Sequence, residues 1–237
     1  MAKWFAKRPW TVPADRPVIS FTFDDFPRSA LTQGGAMLEQ HGLAATYYSS
    51  FGLMGRTIET GLIFNQNDIP RLFRGGHELG CHTYDHCPAW ETPPADYLAS
   101  VHRNAAALAA LAGERGFETH SYPISYPRPA TKRGLGRIFS GCRFGGQVRN
   151  TGIVDLNCLA SFFLEQCGEN IGSVERIIGE TVDSGGWLIF STHDVEQAPT
   201  RYGCTPVFFE RVVACAVRSG AAILPVSQAL TAFGTSR

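Results

Sequence analysis

Two adjacent aspartates stand at the end of an apolar run, Val18-Ile-Ser-Phe-Thr-Phe-Asp24-Asp25. The run alternates in the manner of a half-buried strand. Two ionised carboxylates side by side repel each other and lose solvation on burial, so stability alone does not favour this strand end. A divalent cation resolves the conflict, because one Asp can bind it while the other, on the opposite side of the strand, acts as a base. The alternative is a turn-forming Asp-Asp pair before Phe26-Pro27.

A pair of histidines four residues apart, His82 and His86, supplies further candidate ligands. On a helix or in a tight turn, both imidazoles face one side and can chelate one ion. Two His and one carboxylate leave open positions for water and substrate, which is typical of a catalytic site. Taken alone, this spacing arises often by chance, and a surface or capping role is then the default. Cys81 and Cys87 flank the pair as possible zinc ligands, although small buried hydrophobes are the commoner role.

Two later segments also carry chemistry. His193 ends an apolar strand and precedes Asp194. A lone strand-end His is usually a hydrogen-bonded structural residue, but on the same face as a metal it becomes a candidate general acid. The proline-rich segment 122–129 is either a stiffened connection or the source of a backbone N–H that stabilises an oxyanion.

The elements that must position these residues alternate between strands and helices. We predict strands at 18–23, 44–50, 77–81, 186–190 and 222–226, and helices at 30–40, 67–74, 95–112, 173–184 and 206–218, with Ser173 and Thr205 as N-caps. This alternation predicts an α/β fold with a parallel sheet, and at this length a (β/α) barrel rather than an open sheet. Asp24, Asp25, His82, His86 and His193 all follow predicted strands, and such strand ends converge on one face.

The composition excludes several classes of function. The chain has 237 residues, 44% hydrophobic, with 21 basic and 21 acidic side chains. This length predicts one domain over residues 1–237. A net charge of zero gives no field for nucleic acid. Neither a secretory apolar segment nor a run of roughly 18 apolar residues is present, so no membrane span is expected. Seven scattered cysteines without a C-x-x-C pair indicate reduced thiols and a cytoplasmic protein.

The motifs together resemble the polysaccharide deacetylases of the NodB-homology type, carbohydrate esterase family four. The family motif T-F-D-D stands as Thr22-Phe23-Asp24-Asp25, and H-[ST]-x-x-H stands as His82-Thr83-Tyr84-Asp85-His86. The segment Leu188–His193 is similar to the last motif, an apolar strand shortly before a His. The resemblance spans about residues 17–230, and the first two motifs are the specific ones.

The resemblance implies a role for each matched residue. Asp24 is then the general base, Asp25, His82 and His86 are the metal ligands, and His193 is the general acid. The implied fold is a distorted (β/α) barrel of about seven strands. The implied reaction is hydrolytic removal of an acetyl group from an N-acetylated sugar.

Two family motifs are altered. For the third, R-x-P-Y, the nearest match is Ser125-Tyr126-Pro127-Arg128, with Ser in place of Arg and Arg in place of Tyr. We expect the backbone N–H of Arg128 to act as oxyanion donor, with Tyr126 beside the substrate. The fourth, D-x-x-D-W, is lacking, and Asp155 is the candidate residue to orient His193.

The residues and the resemblance predict a metal-dependent hydrolase that removes an N-acetyl group from an amino sugar of a surface polysaccharide or its precursor. The expected cofactor is a divalent metal, with Zn²⁺ favoured by ligand type. One alternative is a deformylase or cyclic-amide hydrolase at the same site. Another is a non-catalytic carbohydrate-binding scaffold, against which the proton-transfer residues argue. The oligomeric state is left open, with a homodimer as one possibility.

Overall fold

The structure is a computed structural model and describes residues 5–235. Residues 1–4, 236 and 237, which the single-domain prediction includes, lie outside the described residues. The first four residues of the N-terminal segment, for which no secretory apolar run is expected, are among them. The strands are β1 (Pro9–Thr11), β2 (Val18–Phe23), β3 (Thr46–Ser49), β4 (Thr57–Ile58), β5 (Gly61–Leu62), β6 (Glu78–Cys81), β7 (Thr119–Ser121), β8 (Gly141–Arg143), β9 (Ile153–Asp155), β10 (Phe162–Phe163), β11 (Trp187–Thr192) and β12 (Ala222–Ile223).

The helices agree with the predicted ones in most of their bounds. They are α1 (Ala36–Gln40), α2 (Asp68–Arg74), α3 (Pro94–Ala112), α4 (Pro129–Leu135), α5 (Ile171–Ser184), α6 (Pro206–Arg218) and α7 (Val226–Ala232). A π-helical segment, Ala30–Gly35, leads into α1, so the helix predicted over 30–40 is wider in its first turns. The Thr205 hydroxyl accepts from the Phe208 N–H, which confirms that N-cap. The predicted cap Ser173 is wrong, because the Asn170 side chain caps α5 one turn earlier.

One parallel sheet organises the fold. Its strand order is β10-β11-β2-β3-β6-β7-β8, and β12 also pairs with β2. β12 pairs with the first half of β2 and β3 with its second half, so these two strands share one edge of β2. The predicted distorted (β/α) barrel of about seven strands is confirmed. The strand predicted over 222–226 is shorter, because α7 begins at Val226.

The two ends of this strand order are joined by a short pairing. Arg143 in β8 forms a parallel bridge with Leu159, a few residues before β10. The N–H of Leu159 donates to the carbonyl of Cys142, and the N–H of Phe144 donates to the carbonyl of Leu159. The sheet therefore curves round until its first and last strands lie beside each other, and Arg143 lies at this seam.

The alternation along β2 separates the core from the barrel interior. Ile19, Phe21 and Phe23 belong to the main hydrophobic core, and the Phe21 and Phe23 rings pack against Phe209 of α6. The side chain of Ser20 faces the other way, where its hydroxyl accepts from the Trp187 indole N–H at 2.9 Å. The same alternation continues through Thr22 to Asp24. β2 thus delivers Asp24 to the interior of the barrel at its C-terminal end.

A second hydrophobic cluster lies at the opposite end of the strands. Trp187, Ile189 and Leu230 belong to it, and α7 packs against both β2 and β8. This apolar end contrasts with the polar C-terminal edge. No helix among residues 5–235 has the length and apolar character needed to cross a bilayer.

Candidate active site

Five of the predicted site residues line one cavity of about 770 Å³ at the C-terminal edge of the sheet. They are Asp24, Asp25, His82, His86 and His193. Asp24 and Asp25 follow β2, the two histidines follow β6, and His193 follows β11. These strand ends converge because all the strands of the sheet run parallel. The cavity therefore unites residues that are up to about 170 positions apart in the chain.

The two aspartates point in different directions because the backbone bends between them. β2 ends at Phe23, and Asp25 and Phe26 have φ values of 61° and 55°. Strand alternation was the predicted cause, and this detail is wrong, since the strand does not continue to Asp25. A left-handed bend at a bulky residue such as Phe26 is uncommon and costs free energy, on the order of 1–3 kcal/mol.

The carboxylate of Asp25 lies next to both imidazoles. Its Oδ1 is 3.0 Å from Nε2 of His86 and 3.6 Å from Nε2 of His82, and the three ligand atoms lie within 4.8 Å of one another. Asp25 and His82 are buried, and His86 is partly exposed to the cavity. Oδ1 is buried and has no hydrogen bond of acceptable geometry within residues 5–235. An unsatisfied buried oxygen facing two imidazole nitrogens fits a divalent metal ion.

The surrounding groups hold each of these side chains in position. Oδ2 of Asp25 accepts from the hydroxyl of Thr60, in the turn between β4 and β5, at 3.0 Å. Nδ1 of His82 lies 2.7 Å from the carbonyl oxygen of Ser121, so Nδ1 carries the proton and Nε2 is free for a metal. Thr60 carried no signal in the sequence.

The turn that carries His86 is fastened to α3. The Ser100 hydroxyl accepts from the N–H groups of Tyr84 and Asp85 and donates to the Asp85 carboxylate at 2.7 Å. Arg103 also pairs with Asp85. His86 has a φ of 54°, so a turn rather than a helix places the two imidazoles on one side.

The electrostatics favour a deprotonated His82 and an ionised Asp25, whereas the pKa of His86 is shifted in the opposite direction. Burial lowers the pKa of His82 to about 4, although Asp24 and Asp25 act in the opposite direction. Burial raises the pKa of Asp25, but the close contact with His86 and the charges of His82 and His193 more than reverse this and lower it. Burial lowers the pKa of His86, but Asp25 outweighs it and the net shift is upward. Neutral His82 and ionised Asp25 are the forms that bind metals.

Arg143 is the functional residue that the sequence did not indicate. Its Nη2 pairs with Oδ1 of Asp24, its Nη1 donates to the Ser161 hydroxyl at 3.0 Å, and the side chain is buried. Oδ2 of Asp24 accepts from the Ser191 hydroxyl at 3.2 Å. Burial raises the pKa of Asp24, but Arg143, His82 and further charges outweigh it and lower the pKa to about 2. Asp24 is thus a fixed, ionised carboxylate.

The position of Arg143 explains how the altered third motif is compensated. The sequence lacks the motif arginine, since Ser stands at that position in both Tyr-Pro matches of this segment, Ser121 before Pro123 and Ser125 before Pro127. Arg143 instead reaches Asp24 from the end of β8, the strand paired with β7. The only signal in the sequence was a charged residue inside the short apolar run Cys142-Arg143-Phe144.

A backbone carbonyl, rather than Asp155, is the partner of His193. Nδ1 of His193 lies 3.2 Å from the carbonyl oxygen of Tyr202, and the two rings pack at 5.4 Å between centroids. Asp155 instead accepts from the backbone N–H of Arg8 at 2.9 Å and pairs with Lys132. The structure does not bring Asp155 to His193, since its carboxylate fastens the N-terminal segment and α4. Asp155 lines a separate cavity on that side of the barrel.

The structure also places the predicted oxyanion residues away from the five clustered side chains. The Arg128 guanidinium donates to the carbonyls of Trp90 and Glu91, and the Tyr126 ring packs on Phe144 at 4.0 Å. Tyr126 lines the same separate cavity as Asp155. The motif match was displaced along the chain, because Pro123 and Pro127 each follow a Tyr.

Two residues of the proline-rich segment 122–129, Tyr122 and Ile124, line the cavity that holds the five clustered side chains. Pro123 then takes the place of the motif proline, and Ile124 takes the place of the motif Tyr. Ile124 has a φ of 63°, and its backbone N–H donates no hydrogen bond to any described residue. A β-branched residue in this conformation is rare and is typical of functional loops.

Sequence comparison assigns the family. The sequence model described as "Polysaccharide deacetylase" matches residues 11–134, slightly more than half of the chain. The chain belongs to this family. The matched segment contains the aspartate pair Asp24-Asp25 and the histidine pair His82 and His86, and it ends before Arg143 and His193. No curated protein sequence matches the chain.

Solved structures extend the similarity to the whole barrel. The chitin deacetylase of the fungal pathogen Colletotrichum lindemuthianum superposes with a TM-score of 0.66 at 18% identity, over 92% of this chain and 89% of that chain. A family 4 acetyl xylan esterase from Clostridium thermocellum gives 0.63 at 17% identity, over 92% of both. The peptidoglycan deacetylase PdaC of Bacillus subtilis gives 0.58 at 13% identity, over 93% of both. At these identities the similarity establishes the fold of this polysaccharide deacetylase family member.

Proposed function

We propose that this protein is a metal-dependent hydrolase that removes the N-acetyl group from an amino sugar of a surface polysaccharide or its precursor. One observation carries the proposal. A buried, Arg-paired carboxylate (Asp24), a two-His, one-Asp ligand set and a partly buried imidazole (His193) share one cavity. A base, a metal site and an acid are the groups that metal-assisted amide hydrolysis uses.

Asp25, His82 and His86 would hold the metal, for which two imidazoles and one carboxylate favour Zn²⁺. When bound, the ion would polarise the acetamide carbonyl and make a water molecule more acidic. The buried Oδ1 of Asp25 and the fixed tautomer of His82 support this assignment. Both ligands are then in their binding form before the ion arrives.

Asp24 accepts the proton of the attacking water. Its low pKa keeps the carboxylate ionised at every working pH, so it is always able to accept. The same low pKa makes it a weak base, so it requires an acidified water as its partner. Arg143 and Ser191 hold the carboxylate in one orientation, which lowers the entropy cost of proton transfer.

His193 delivers a proton to the nitrogen of the leaving amine. Its Nδ1 faces the Tyr202 carbonyl, so Nε2 is the atom available to the cavity. The N–H of Ile124, which donates to no group among residues 5–235, is the candidate donor to the developing oxyanion, in place of Arg128. One such donor contributes roughly 3–4 kcal/mol to transition-state stabilisation.

The walls of the cavity support a sugar as substrate. Phe144, Phe163 and Ile124 line it beside the polar groups. Apolar walls with a few fixed polar groups suit a pyranose ring, which has an apolar face and a hydroxylated edge. The surface-polysaccharide origin of this sugar, the cytoplasmic location, the single domain and the oligomeric state stay predictions.

Two neighbouring substitutions test the assignment. Asp25→Ala removes a ligand, so we expect loss of both bound zinc and activity. Asp24→Asn keeps the ligand set, so we expect full zinc content and a fall in kcat of roughly 10²–10⁴-fold. Zinc content is measured by mass spectrometry, and acetate release from N-acetylglucosamine oligosaccharides is assayed with and without a chelator.

The substrate panel also contains acetylated xylan, formylated amines and cyclic amides. Asp183→Asn, on the exposed part of α5, is the matched control and should behave as the wild type. Normal hydrolysis by Asp24→Asn would show that the base is wrongly assigned. Sugar binding by zinc-loaded wild type without turnover of any compound would favour a non-catalytic scaffold instead.

A further inference from the structure

Glu165 is a further carboxyl group of the cavity that holds Asp24, Asp25 and His193, and it has no place in the mechanism above. It lines the cavity together with Asp24 and His193. It begins a 3-10 turn directly after β10, and β10 pairs with β11, the strand that leads to His193. The backbone N–H of Leu164 donates to the carbonyl of Ser191, which fixes Glu165 beside the acid–base residues.

One oxygen of Glu165 lacks a hydrogen-bond partner. Oε2 is buried and has none among the described residues. A buried polar atom left in this state costs about 1–3 kcal/mol. Native proteins pair nearly all such atoms, so an exception at a cavity wall indicates a group that arrives with a ligand.

No basic side chain within residues 5–235 forms an ion pair with Glu165. Arg143 is the basic group near it, but this guanidinium already pairs with Asp24. Asp24 and Asp194 are the negative charges nearby, and the thiols of Cys167 and Cys204 also sense its charge. Burial, reinforced by these aspartates, raises the pKa of Glu165 to about 8. At neutral pH the carboxyl group is mostly protonated and offers one O–H donor and one acceptor.

The surroundings of Glu165 select the kind of ligand. Phe163 precedes it by two residues, and Phe144 and Phe163 both line the cavity. Phe163 packs over the backbone at Gly145, where a Cβ would lie 2.6 Å from the ring. A neutral donor and acceptor beside two aromatic rings suits an uncharged hydroxyl on the edge of a pyranose ring, and suits an ammonium group less well.

We infer that Glu165 is a specificity-determining residue that binds a hydroxyl group of the sugar through its cavity-lining carboxyl group, once Oε2 turns toward the cavity. This inference rests on the proposed function and deepens it, because it assigns a sugar subsite between β10 and the acid–base pair. Glu165 would contact the sugar ring of the substrate and not its acetyl group. It therefore affects the affinity for the sugar and not the proton transfer.

The test separates a neutral hydrogen bond from a charge. Zinc-loaded Asp24→Asn protein, which turns over slowly, is titrated calorimetrically with the tetrasaccharide of N-acetylglucosamine at pH 6.5. Glu165→Ala in this background should weaken binding about 10-fold. Glu165→Gln keeps a donor and an acceptor, so its Kd should stay within about 3-fold of the parent. Glu210→Gln, on the exposed face of α6, is the matched control.

Each possible result supports or contradicts the sugar subsite at Glu165. Equal binding by the parent and by both Glu165 variants would overturn the subsite while leaving the deacetylase proposal standing. Equal losses for Gln and Ala, with tighter binding of the deacetylated tetrasaccharide by the parent, would show that Glu165 pairs with an ammonium group instead. Absence of binding by the zinc-loaded parent would reject the sugar substrate itself, and the subsite with it. Circular dichroism and zinc content of each variant report whether it is folded.

Discussion

The two halves of the active site are built in different ways. The metal side comes from two short motifs, and His82 and His86 lie on one turn. The opposite wall comes from scattered residues: Arg143, Glu165, His193 and the carbonyl of Tyr202 stand on four segments. The first half is a local arrangement that a sequence pattern records. The second half exists only after the barrel has formed, so it tolerates replacement of one residue by another from a neighbouring strand.

The largest expected effect comes from Arg143→Met. This change leaves the Asp24 carboxylate buried without its cation, and breaking a buried pair costs about 3–5 kcal/mol of unfolding free energy. We also expect kcat to fall roughly 10²-fold, because Asp24 loses its fixed orientation. Zinc content should stay at the wild-type value, since the metal side is separate. Urea unfolding, acetate release and metal analysis measure the three effects.

Arg149→Met, which removes a partly exposed arginine near Glu180, is the control for Arg143. Adding Asp24→Asn to Arg143→Met should recover part of the lost stability, because the unpaired charge is then absent. A stability loss that persists undiminished in the double variant would mean that Arg143 acts through packing alone.

Glu165→Gln should change the pH dependence of stability. The folded protein holds a proton on Glu165 up to its pKa of about 8, whereas the unfolded chain releases it near the ordinary value of 4.5. Folding therefore binds a proton between these values, and this contribution to stability is lost as the pH rises from 4.5 through 8. The variant lacks this dependence, so its advantage over wild type should grow to at most about 5 kcal/mol above pH 8.

Urea unfolding of both chelated proteins at pH 4.5, 6.5 and 8.5 measures this difference. Only the difference between the two proteins matters, because all other titrating groups are shared. A constant difference across the three pH values would show that Glu165 is ionised in the folded state. In that case the wall opposite the metal ligands would carry a negative charge at Glu165.

The smallest effect is expected on the metal side, from Ser100→Ala. The Ser100 hydroxyl holds the turn of His86 through the Tyr84 and Asp85 N–H groups, so its loss should loosen the ligand geometry. Groups that orient metal ligands typically contribute 10–100-fold to affinity, and we expect about 10-fold weaker zinc binding. Competition with a zinc chelator measures this, with Ser173→Ala on α5 as control. Unchanged affinity would mean that the two motifs hold the ion without α3.

The sequence predicts much of the fold and one half of the site. β2 and β11 were predicted because their buried runs are long, and α3 and α6 because proline and glycine mark their ends. The short strands β7, β8 and β10 have two or three residues each, which is too few for a periodic signal. Arg143 lies on one of these strands, and for that reason its role was missed.

Backbone geometry was the other source of error. Asp155 was assigned to His193 as the candidate replacement for the missing fourth motif, whereas a carbonyl group, which every residue carries, fills that place. Tyr126 and Arg128 were assigned by aligning the third family motif with the second of two Tyr-Pro pairs in the segment. Left-handed φ values at Thr83 and Ile124 are set by the packed barrel and have no counterpart in residue type.

The bend after β2 has a consequence for transplanting this chemistry into other barrels. On a straight strand end, inserting one residue would exchange the directions of neighbouring side chains. Here the division of labour between Asp24 and Asp25 depends instead on two consecutive left-handed torsions, at Asp25 and Phe26. The portable unit is therefore a tripeptide with a fixed handedness rather than a pair of acids. Grafting Asp-Asp without these torsions would point the two carboxylates in directions other than those of Asp24 and Asp25.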